Sequence, residues 1–345
     1  MSSPDLAIQI RNQALALGFD LCGIVKVDAL KEYAGRVESR IKSFPEAKDA
    51  YASLLPYAYP QDAHSWAKSV IVCVNRYGIY KIPPTLEGRI GKYYLFDYRR
   101  QKNSREYERV AAFESYLKKS GLKTFKDLRG ATAARWAAAK AGLGIIRNNN
   151  FLYTKFGSWV WIETWLIDKE LEYIETPDLP TCPESCSRCS EACPTGALSA
   201  PLQMNLATCV SRLTYSIAEL PAERLREQMG QWIYGCDDCQ DACPMNQNMW
   251  NADNEFPDLE ELAPHITLEQ ICSMTEKSFT ETFYPKFWYI PESRLWLWKS
   301  NALRAMANSN DPKYAAYIEL ACEDEDEFVR SIANWAYDRF MAVRA

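Results

Sequence analysis

Residues 182–198 read CPESCSRCSEACPTGAL, and residues 236–245 read CDDCQDACPM. Each stretch contains a cysteine run that ends on Cys-Pro, and Cys209 lies between the two runs. The spacing is Cys-x3-Cys-x2-Cys-x3-Cys-Pro in the first run and Cys-x2-Cys-x3-Cys-Pro in the second. Sequence runs of this kind bind metal, so these two stretches dominate the interpretation of the whole chain.

The geometry of an iron–sulfur cubane explains the spacing. Cysteines that are separated by two residues can bind neighbouring corners of one cubane. In two-cluster ferredoxins the cysteine before proline ligates the other cluster. Proline is tolerated at the first turn of the helix that we expect to follow. The predicted ligands form two sets of four: a first set of Cys182, Cys186, Cys189 and Cys243, and a second set of Cys193, Cys209, Cys236 and Cys239. Cys182 departs from the usual spacing, since three residues rather than two separate it from the next cysteine.

Zinc and disulfides are the alternative explanations of these cysteines. Zinc also takes four thiolates and favours Cys-x2-Cys pairs, but it explains neither the two Cys-Pro endings nor Cys209. Disulfides are rare in the cytoplasm, where we expect this protein. Iron–sulfur ligation is therefore the favoured prediction. The other four cysteines lie in apolar runs and are expected to be buried apolar residues: Cys22, Cys73, Cys272 and Cys322.

Composition and charge limit the remaining possibilities. The chain has 345 residues, 48% of them apolar, and a formal net charge of −5, so nothing overall demands a nucleic-acid partner. No apolar run approaches the roughly 18 residues that would span a bilayer, because Glu163 interrupts the most apolar stretch, SWVWIETWLI. The first residues lack the basic and apolar segments of a secretory signal. We predict a cytoplasmic protein with no membrane partner.

Helices and strands alternate before the first cysteine run. Periodicity predicts helices over 5–17, 104–121 and 131–144, and strands within 21–27, 69–80 and 151–167. Ser104 is the predicted cap of the second helix, and Gly121 is its predicted stop. This alternation favours an α/β domain over 1–175. A ferredoxin-like α+β module with two 4Fe-4S clusters is predicted over 176–255. A helical region is predicted over 256–345, and its three short helices resemble HEAT-type repeats that would dock on the rest of the chain.

Several segments of the chain resemble the epoxyqueuosine reductase family. The closest are CSRCSEACPTGAL (186–198), CVSRLTYSIAEL (209–220) and IYGCDDCQDACPMN (233–246), with weaker similarity in AGLGIIRNNN (141–150) and FGSWVWIETWL (156–166). That family is cobalamin-dependent, carries two 4Fe-4S clusters, completes queuosine in tRNA and is related to reductive dehalogenases. The first domain is accordingly identified as a corrinoid-binding type.

The resemblance implies reductive chemistry. Two clusters would pass single electrons from a low-potential donor of the ferredoxin or flavodoxin type to a corrinoid in the first domain. It implies tRNA as a further partner. The basic residues within 92–147 would suit phosphates, but several alternate with glutamates on one helix and equally fit a solvated face. The corrinoid contacts implied by the resemblance are Tyr94, Arg135, Gly142, Gly144, Asn149, Ser158 and Trp159. Neither histidine, His64 or His265, lies in a motif that implies a cobalt ligand.

The departures from the family lie near the expected substrate. The family has an Asp-Arg pair whose aspartate is implied as the proton donor, and this chain has Ala134-Arg135. Alanine cannot donate a proton, so acid catalysis is absent at this position. Arg147 begins Arg-Asn-Asn where the family has Gly-Lys-Asn, and Arg99 stands where it tends to have histidine. Because the cluster ligands are retained, we expect electron delivery to be kept and the substrate to have changed.

Four residues are candidates for the missing acid or for a substrate anchor, namely Tyr98, Asp97, Arg147 and Tyr94. Each also has a plainer interpretation, as a packed tyrosine or an ion-paired side chain. The leading hypothesis is an iron–sulfur oxidoreductase that delivers electrons to a corrinoid and reduces a substrate other than, or besides, epoxyqueuosine. Two alternatives stay open: authentic epoxyqueuosine reduction with a relocated acid, and an electron-transfer partner without substrate chemistry.

Overall fold

The computed structural model describes residues 3–128, 130–257 and 259–342. Its strands are β1 (Leu21–Lys26), β2 (Ser69–Arg76), β3 (Tyr80–Lys81), β4 (Thr124–Phe125), β5 (Ile145–Ile146), β6 (Leu152–Tyr153), β7 (Val160–Ile167) and β8 (Asn254–Glu255). Its helices are α1 (Ser3–Ala16), α2 (Glu32–Ser43), α3 (Lys48–Ala52), α4 (Pro60–Ala63), α5 (Arg105–Lys119), α6 (Ala134–Lys140), α7 (Arg188–Glu191), α8 (Val210–Tyr215), α9 (Glu223–Gln228), α10 (Asp238–Asp241), α11 (Leu259–Leu262), α12 (Leu268–Cys272), α13 (Glu276–Ser278), α14 (Leu295–Ser309), α15 (Ala315–Ala321) and α16 (Glu327–Ala342).

A four-stranded sheet in the order β1-β2-β7-β4 forms the centre of the first 175 residues. Every pairing in it is antiparallel, so the arrangement is α+β and the predicted α/β class is wrong in this respect. The error has a physical cause. Strands that are apolar on both faces are typical of parallel sheets, but here helices cover both faces of an antiparallel one.

Strand β2 shows how the two faces are covered. Its sequence SVIVCVNR is rich in β-branched residues, which fit a pleated, buried surface. Val70 and Val72 pack in the cluster that contains α6, whereas Ile71 and Cys73 pack in the cluster that contains α1 and α5. Cys73 lies directly opposite Cys22 on β1, and both are buried as predicted. Of the other two non-ligand cysteines, Cys272 is buried and Cys322 is only partly buried.

Two predicted helices had different outcomes. For α5 the predicted cap and stop are confirmed, since the Ser104 hydroxyl accepts from the Tyr107 N–H at 3.1 Å and Gly121 has φ +76°. The helix predicted over 131–144 is much shorter, and only α6 forms. Ala133 has ψ 76°, outside the helical range, and Gly142 has φ +71° just beyond the other end.

The cysteine segment consists mainly of turns and short helices, with α7 and α10 packed together. Within residues 176–255, all of which are described, the β structure consists of the two-residue strand β8 and the isolated bridges Ala200↔Gln203 and Ile90↔Tyr234. The β part of the predicted α+β module is therefore small. Cys243 precedes a short 3-10 helix, as expected for a cysteine before proline, but only a turn follows Cys193.

The C-terminal region is helical and packs on the rest of the chain. Its core is continuous with aromatic residues of the first region, because Trp298 and Val329 share one cluster with Phe96 and Trp161. Asn310, with φ +54°, ends α14. No helix within the described part of the chain is long and apolar enough to cross a membrane.

Candidate functional site

The first set of predicted ligands comes together near the surface. Burial raises the pKa of the Cys189 thiol, and the neighbouring Cys182, Cys186 and Cys243 raise it further. These are the three cysteines that the spacing groups with Cys189. Arg147 donates a hydrogen bond from Nη1 to the Cys182 sulfur at 3.6 Å. The structure therefore brings Cys243 from the second run to the first run.

The second set comes together deeper in the molecule. Burial raises the pKa of Cys239, and Cys209 and Cys193 are among the neighbours that raise it further. Burial also raises the pKa of Cys236, to which Cys239 and Cys209 contribute. Cys193 thus leaves its own run and joins Cys209 and the second run. Cys189 of the first set also influences Cys239, so the two sets adjoin.

The donor geometry bears on the zinc and disulfide alternatives. All 12 cysteines are free thiols in this structure. Within the described ranges, no group of three or more His, Cys, Asp or Glu side chains converges enough to hold a single metal ion. A tetrahedral zinc site with Zn–S bonds of about 2.3 Å would bring its sulfurs to about 3.8 Å from one another. A cubane instead holds each of its four thiolates on a separate iron corner.

A cavity of ≈ 660 Å³, called the large cavity below, adjoins the second set. Its lining includes all four members of that set, and the described lining includes none of the first set. Arg36 and Arg40 reach it from α2, and Ala134 and Arg135 reach it from the start of α6. The volume lies within the range of about 300–1,000 Å³ that is common for ligand pockets. A ligand in this cavity would therefore lie beside one cluster site.

The polar groups of the large cavity suit a ligand with hydrogen-bond acceptors on its rim. Asn150 lines the cavity, and its Nδ2 is buried without a hydrogen-bond partner. Its Oδ1 accepts from Arg40, and its carbonyl accepts from Arg135 Nη1 at 3.1 Å. Asn150 adopts φ +67°, a conformation that asparagine tolerates better than most residues. The rim of amides on a corrinoid would satisfy this buried donor, so the residues present fit such a cofactor.

A smaller cavity of ≈ 150 Å³ lies next to the large one. The two share Tyr93, Ala134, Arg135 and Phe151 in their linings. The small cavity also contacts Glu163, which is only 4% exposed. This cavity therefore joins Ala134, where the family resemblance implies an acid, to a buried carboxyl group.

Glu163 lies in the middle of β7, and its Oε2 contacts the amine of Lys126. Burial raises the pKa of Glu163 to about 8, and the nearby Asp97 adds to that rise. Burial likewise lowers the pKa of Lys126, and Arg99 adds to that fall. Burial thus disfavours the charged form of both side chains. Glu163 therefore retains its proton up to a pH at which an ordinary carboxyl has lost it.

Three of the seven predicted corrinoid contacts line a cavity. Tyr94 and Arg135 line the large cavity, and Ser158 lines the small one. The two glycines serve close backbone packing instead. A Cβ at Gly142 would lie 1.6 Å from the Glu175 carbonyl oxygen, and one at Gly144 would lie 2.3 Å from that of Tyr153. Asn149 and Trp159 are buried outside the described lining of both cavities.

The three predicted catalytic residues are held by contacts of their own and lie outside the described cavity linings. Asp97 accepts from Arg99 through both oxygens and from Trp288 Nε1 at 2.7 Å, so its carboxylate is fully engaged. Tyr98 is 2% exposed and packs edge-on against Trp161 at 5.1 Å between ring centroids. Arg147 lies at Cys182. None of the three is among the described residues that line either cavity.

Only some of the residues that line the cavities have a signal in the sequence. Glu163 stands out as the one charge within an apolar strand, and this interruption was visible in the sequence. Arg36, Arg40 and Asn150 were not identified, because helix α2 and the 147–150 turn meet only in the folded chain. His64 packs on Phe125, with ring centroids 3.9 Å apart, and is not among the described residues that line either cavity.

Comparison with known proteins agrees with this arrangement. A family model described as a 4Fe-4S double cluster binding domain matches residues 182–246, which include all eight predicted ligands. The epoxyqueuosine reductase of Cyclobacterium marinum is 30% identical over 79% of this chain and 89% of its own length. The chain belongs to the epoxyqueuosine reductase family. It is an oxidoreductase with a segment for two 4Fe-4S clusters.

Solved structures of epoxyqueuosine reductases share the fold of this chain. A selenomethionine-labelled epoxyqueuosine reductase superposes with a TM-score of 0.79 over 97% of this chain and 90% of that chain, at 23% identity. A second epoxyqueuosine reductase, in complex with an epoxyqueuosine-modified tRNA-Tyr stem loop, superposes with a TM-score of 0.74 over the same shares and at the same identity. The fold of this family member is therefore that of the solved epoxyqueuosine reductases.

Proposed function

We propose that this chain reduces epoxyqueuosine in tRNA, with two 4Fe-4S clusters and a bound corrinoid. The observation that carries the proposal is the large cavity, whose wall holds the second cysteine set together with Ala134 and Arg135. The relatives named epoxyqueuosine reductase and the stem-loop complex of one of them support this substrate. They favour the relocated-acid alternative over the changed substrate that the departures suggested.

The corrinoid would occupy the large cavity. Asn150 Nδ2 and the Arg135 guanidinium would bind its rim, and the Tyr94 ring would pack against it. A cobalt bound there would supply a low-potential metal that accepts electrons one at a time. The predicted contacts that lie outside the cavities would act indirectly. Asn149, for example, donates to the Cys239 carbonyl at 3.0 Å and so fixes the neighbouring cluster loop.

The two cysteine sets would act in series. The first set, near the surface, would accept an electron from a low-potential ferredoxin- or flavodoxin-type donor. The second set would pass the electron to the large cavity. We assign the corrinoid and substrate to 1–175, both clusters to 176–255, and a supporting helical role to 256–345, whose repeats resemble HEAT motifs.

Basic side chains of the large cavity would bind the anionic part of a ligand. Arg36 and Arg40 extend from α2, and Arg212 extends from α8 into the same lining. Burial lowers the pKa of Arg40, so a nearby anion would stabilise its charge. The same cavity argues against an electron-transfer partner without substrate chemistry, since such a protein needs no ligand space beyond its second cluster.

Anaerobic purification with cobalamin, followed by metal analysis, tests the cofactors. We expect about eight irons and one cobalt per chain. The loaded protein is then incubated with an epoxyqueuosine-containing stem loop and a low-potential reductant, and its nucleosides are analysed by mass spectrometry. Loss of one oxygen atom from epoxyqueuosine is the expected result. A loaded protein that leaves the epoxide intact would indicate another substrate, and eight irons without cobalt uptake would refute the corrinoid.

A further inference from the structure

The missing acid raises the question of where the substrate proton comes from. Alanine occupies the position at which the family resemblance implies an aspartate, so the backbone start of α6 is kept but its carboxyl is lost. The small cavity extends from Ala134 to a different carboxyl group, that of Glu163. The two residues are 29 positions apart in sequence and belong to different elements, yet they line one space.

We propose that Glu163, paired with Lys126, donates to the substrate the proton that Ala134 cannot supply. This inference rests on the proposed function, since it names the acid of that same reaction. Lys126 would hold the carboxyl in place and return a proton to it after each transfer. The pair would thus be the relocated acid of this family member.

The local structure explains why a carboxyl in a buried strand reaches a cavity. β4 pairs with β7 only through Phe125 and Thr124, opposite Leu166 and Ile167. In the described part of the chain no strand continues this pairing toward Val160, so the edge of β7 is open there. The small cavity runs along this open edge, and its lining includes Val160, Ile162, Glu163 and Thr164.

The surroundings keep the proton on the pair at neutral pH. The titratable and charged groups around Glu163 come from several elements. They are Cys73 on β2, Tyr77 after it, Tyr93, Asp97 and Arg99 before α5, Lys126 and Asp127 after β4, and Arg135 at the start of α6. Asp97 is engaged by Arg99 and opposes ionisation of Glu163. With a pKa of about 8, Glu163 is a competent acid below that pH and loses its proton as pH rises through it.

The proton balance of the reaction is simple. Removal of an epoxide oxygen as water, which leaves a carbon–carbon double bond, consumes two electrons and two protons. The electrons come through the clusters from the one-electron donor protein. As the first C–O bond breaks, the proton of the pair goes to the oxygen and gives a hydroxyl group. Breaking the second C–O bond releases that oxygen as water with a second proton, taken up from solvent through the same pair.

The test is the isosteric substitution Glu163→Gln in the fully loaded protein. Because an amide cannot donate the proton, we expect epoxide reduction to fall by about 10²–10⁴-fold. Iron content, cobalt content and stem-loop binding should stay unchanged. The matched control is Glu106→Gln, since Glu106 is also a buried glutamate, hydrogen-bonded to Tyr80 at 2.6 Å, and lies outside the described lining of both cavities. Its activity should match that of the wild type.

Infrared difference spectroscopy gives a readout that does not depend on turnover. The wild type minus E163Q spectrum should show the carbonyl band of a protonated carboxyl at neutral pH, and the band should disappear with a midpoint near pH 8. Restoring the family's acid provides a second check. The double variant E163Q/A134D should be at least tenfold more active than E163Q, because the carboxyl introduced at position 134 would line the small cavity.

These outcomes separate the two proposals. A wild type that binds corrinoid but never reduces the epoxide fails the proposed function. An active wild type with an equally active E163Q overturns only the role of Glu163. The role is also overturned if no protonated-carboxyl band is found, or if E163Q/A134D stays as inactive as E163Q while binding corrinoid normally.

Discussion

The two cysteine runs have similar sequences but different surroundings. In the first run, Pro183, Glu184 and Ser185 are exposed between Cys182 and Cys186. In the second run, Cys236 and Cys239 enclose the buried Asp237, and the buried Gln240 follows them. Because both runs carry comparable spacing, the contrast comes from what the rest of the chain packs against each one.

The second run is fixed by hydrogen bonds from distant segments. Asp237 accepts from the Lys92 N–H at 2.6 Å, and Gln240 Oε1 accepts from the Ser158 hydroxyl at 2.9 Å. The first run relies mainly on its own turns, such as the bond from the Cys186 N–H to the Pro183 carbonyl at 3.0 Å. The buried run thus suits fixed electron delivery to the cavity, and the exposed run suits contact with a donor protein.

Cysteine substitutions give the largest expected effect and would break this comparison directly. We call the cluster of the second set the inner cluster and that of the first set the outer cluster. Cys239→Ser should remove the inner cluster, lower the iron content from about eight to about four per chain, and abolish turnover. Cys186→Ser should remove the outer cluster with the same loss of iron. A small chemical reductant that reaches the inner cluster should restore a measurable part of the activity of C186S but none of that of C239S. Iron analysis and stem-loop turnover with both reductants measure this.

The opposite pattern would reverse the proposed order of the clusters. Rescue of C239S by the chemical reductant, with none for C186S, would place the outer cluster next to the substrate. Equal rescue of both variants would contradict a series arrangement. Cys322→Ser is a suitable control, because Cys322 lies in the C-terminal region and belongs to neither set.

A substitution in the C-terminal helices should have the next largest effect, on stability. Asn301 of α14 donates from Nδ2 to the Thr214 carbonyl at 2.8 Å and the Ile233 carbonyl at 3.0 Å, and all three lie beside the second run. Asn301→Ala leaves both carbonyls without that donor, at about 1–3 kcal/mol each. The midpoint temperature of thermal unfolding and the amount of iron retained should both fall. Asn334→Ala, at an exposed site, should change stability by less than about 0.5 kcal/mol.

An Asn301→Ala protein as stable as the wild type would show that the second run holds its shape without the C-terminal region. Iron loss with unchanged unfolding would instead confine the role of α14 to the cluster loop. Either result would sharpen the difference between the two runs, because nothing comparable from the described C-terminal helices bonds to the first run.

The parts of the molecule that the sequence predicted well are those encoded locally. Ligand spacing depends on a few neighbouring residues, and the cap at Ser104 and the stop at Gly121 are equally local. The cavities are assembled from α2, α6, the 147–150 turn and the cysteine segment, so their lining follows from tertiary packing. Family likeness also assigned Gly142 to the corrinoid, whereas its lack of a side chain is needed to pass the Glu175 carbonyl.

The smallest effect is expected at Arg147, which the sequence suggested as a catalytic residue. Its guanidinium contacts Cys182 at 3.6 Å and the Pro180 carbonyl. A positive charge and a hydrogen-bond donor at a ligand sulfur stabilise the reduced, more negative cluster. Arg147→Met should therefore lower the reduction potential of the outer cluster and slow turnover about twofold with a protein donor, but leave turnover with a strong chemical reductant unchanged.

Redox titration followed by electron paramagnetic resonance measures the potentials of the two clusters separately. Arg76→Met is the matched control, because Arg76 pairs with Asp20 at the end of β2 and lies far in sequence from every cluster ligand. A large loss of turnover in R147M with both reductants would return Arg147 to a catalytic role. An unchanged potential with unchanged turnover would show that the Arg147 contact with Cys182 does not tune the outer cluster.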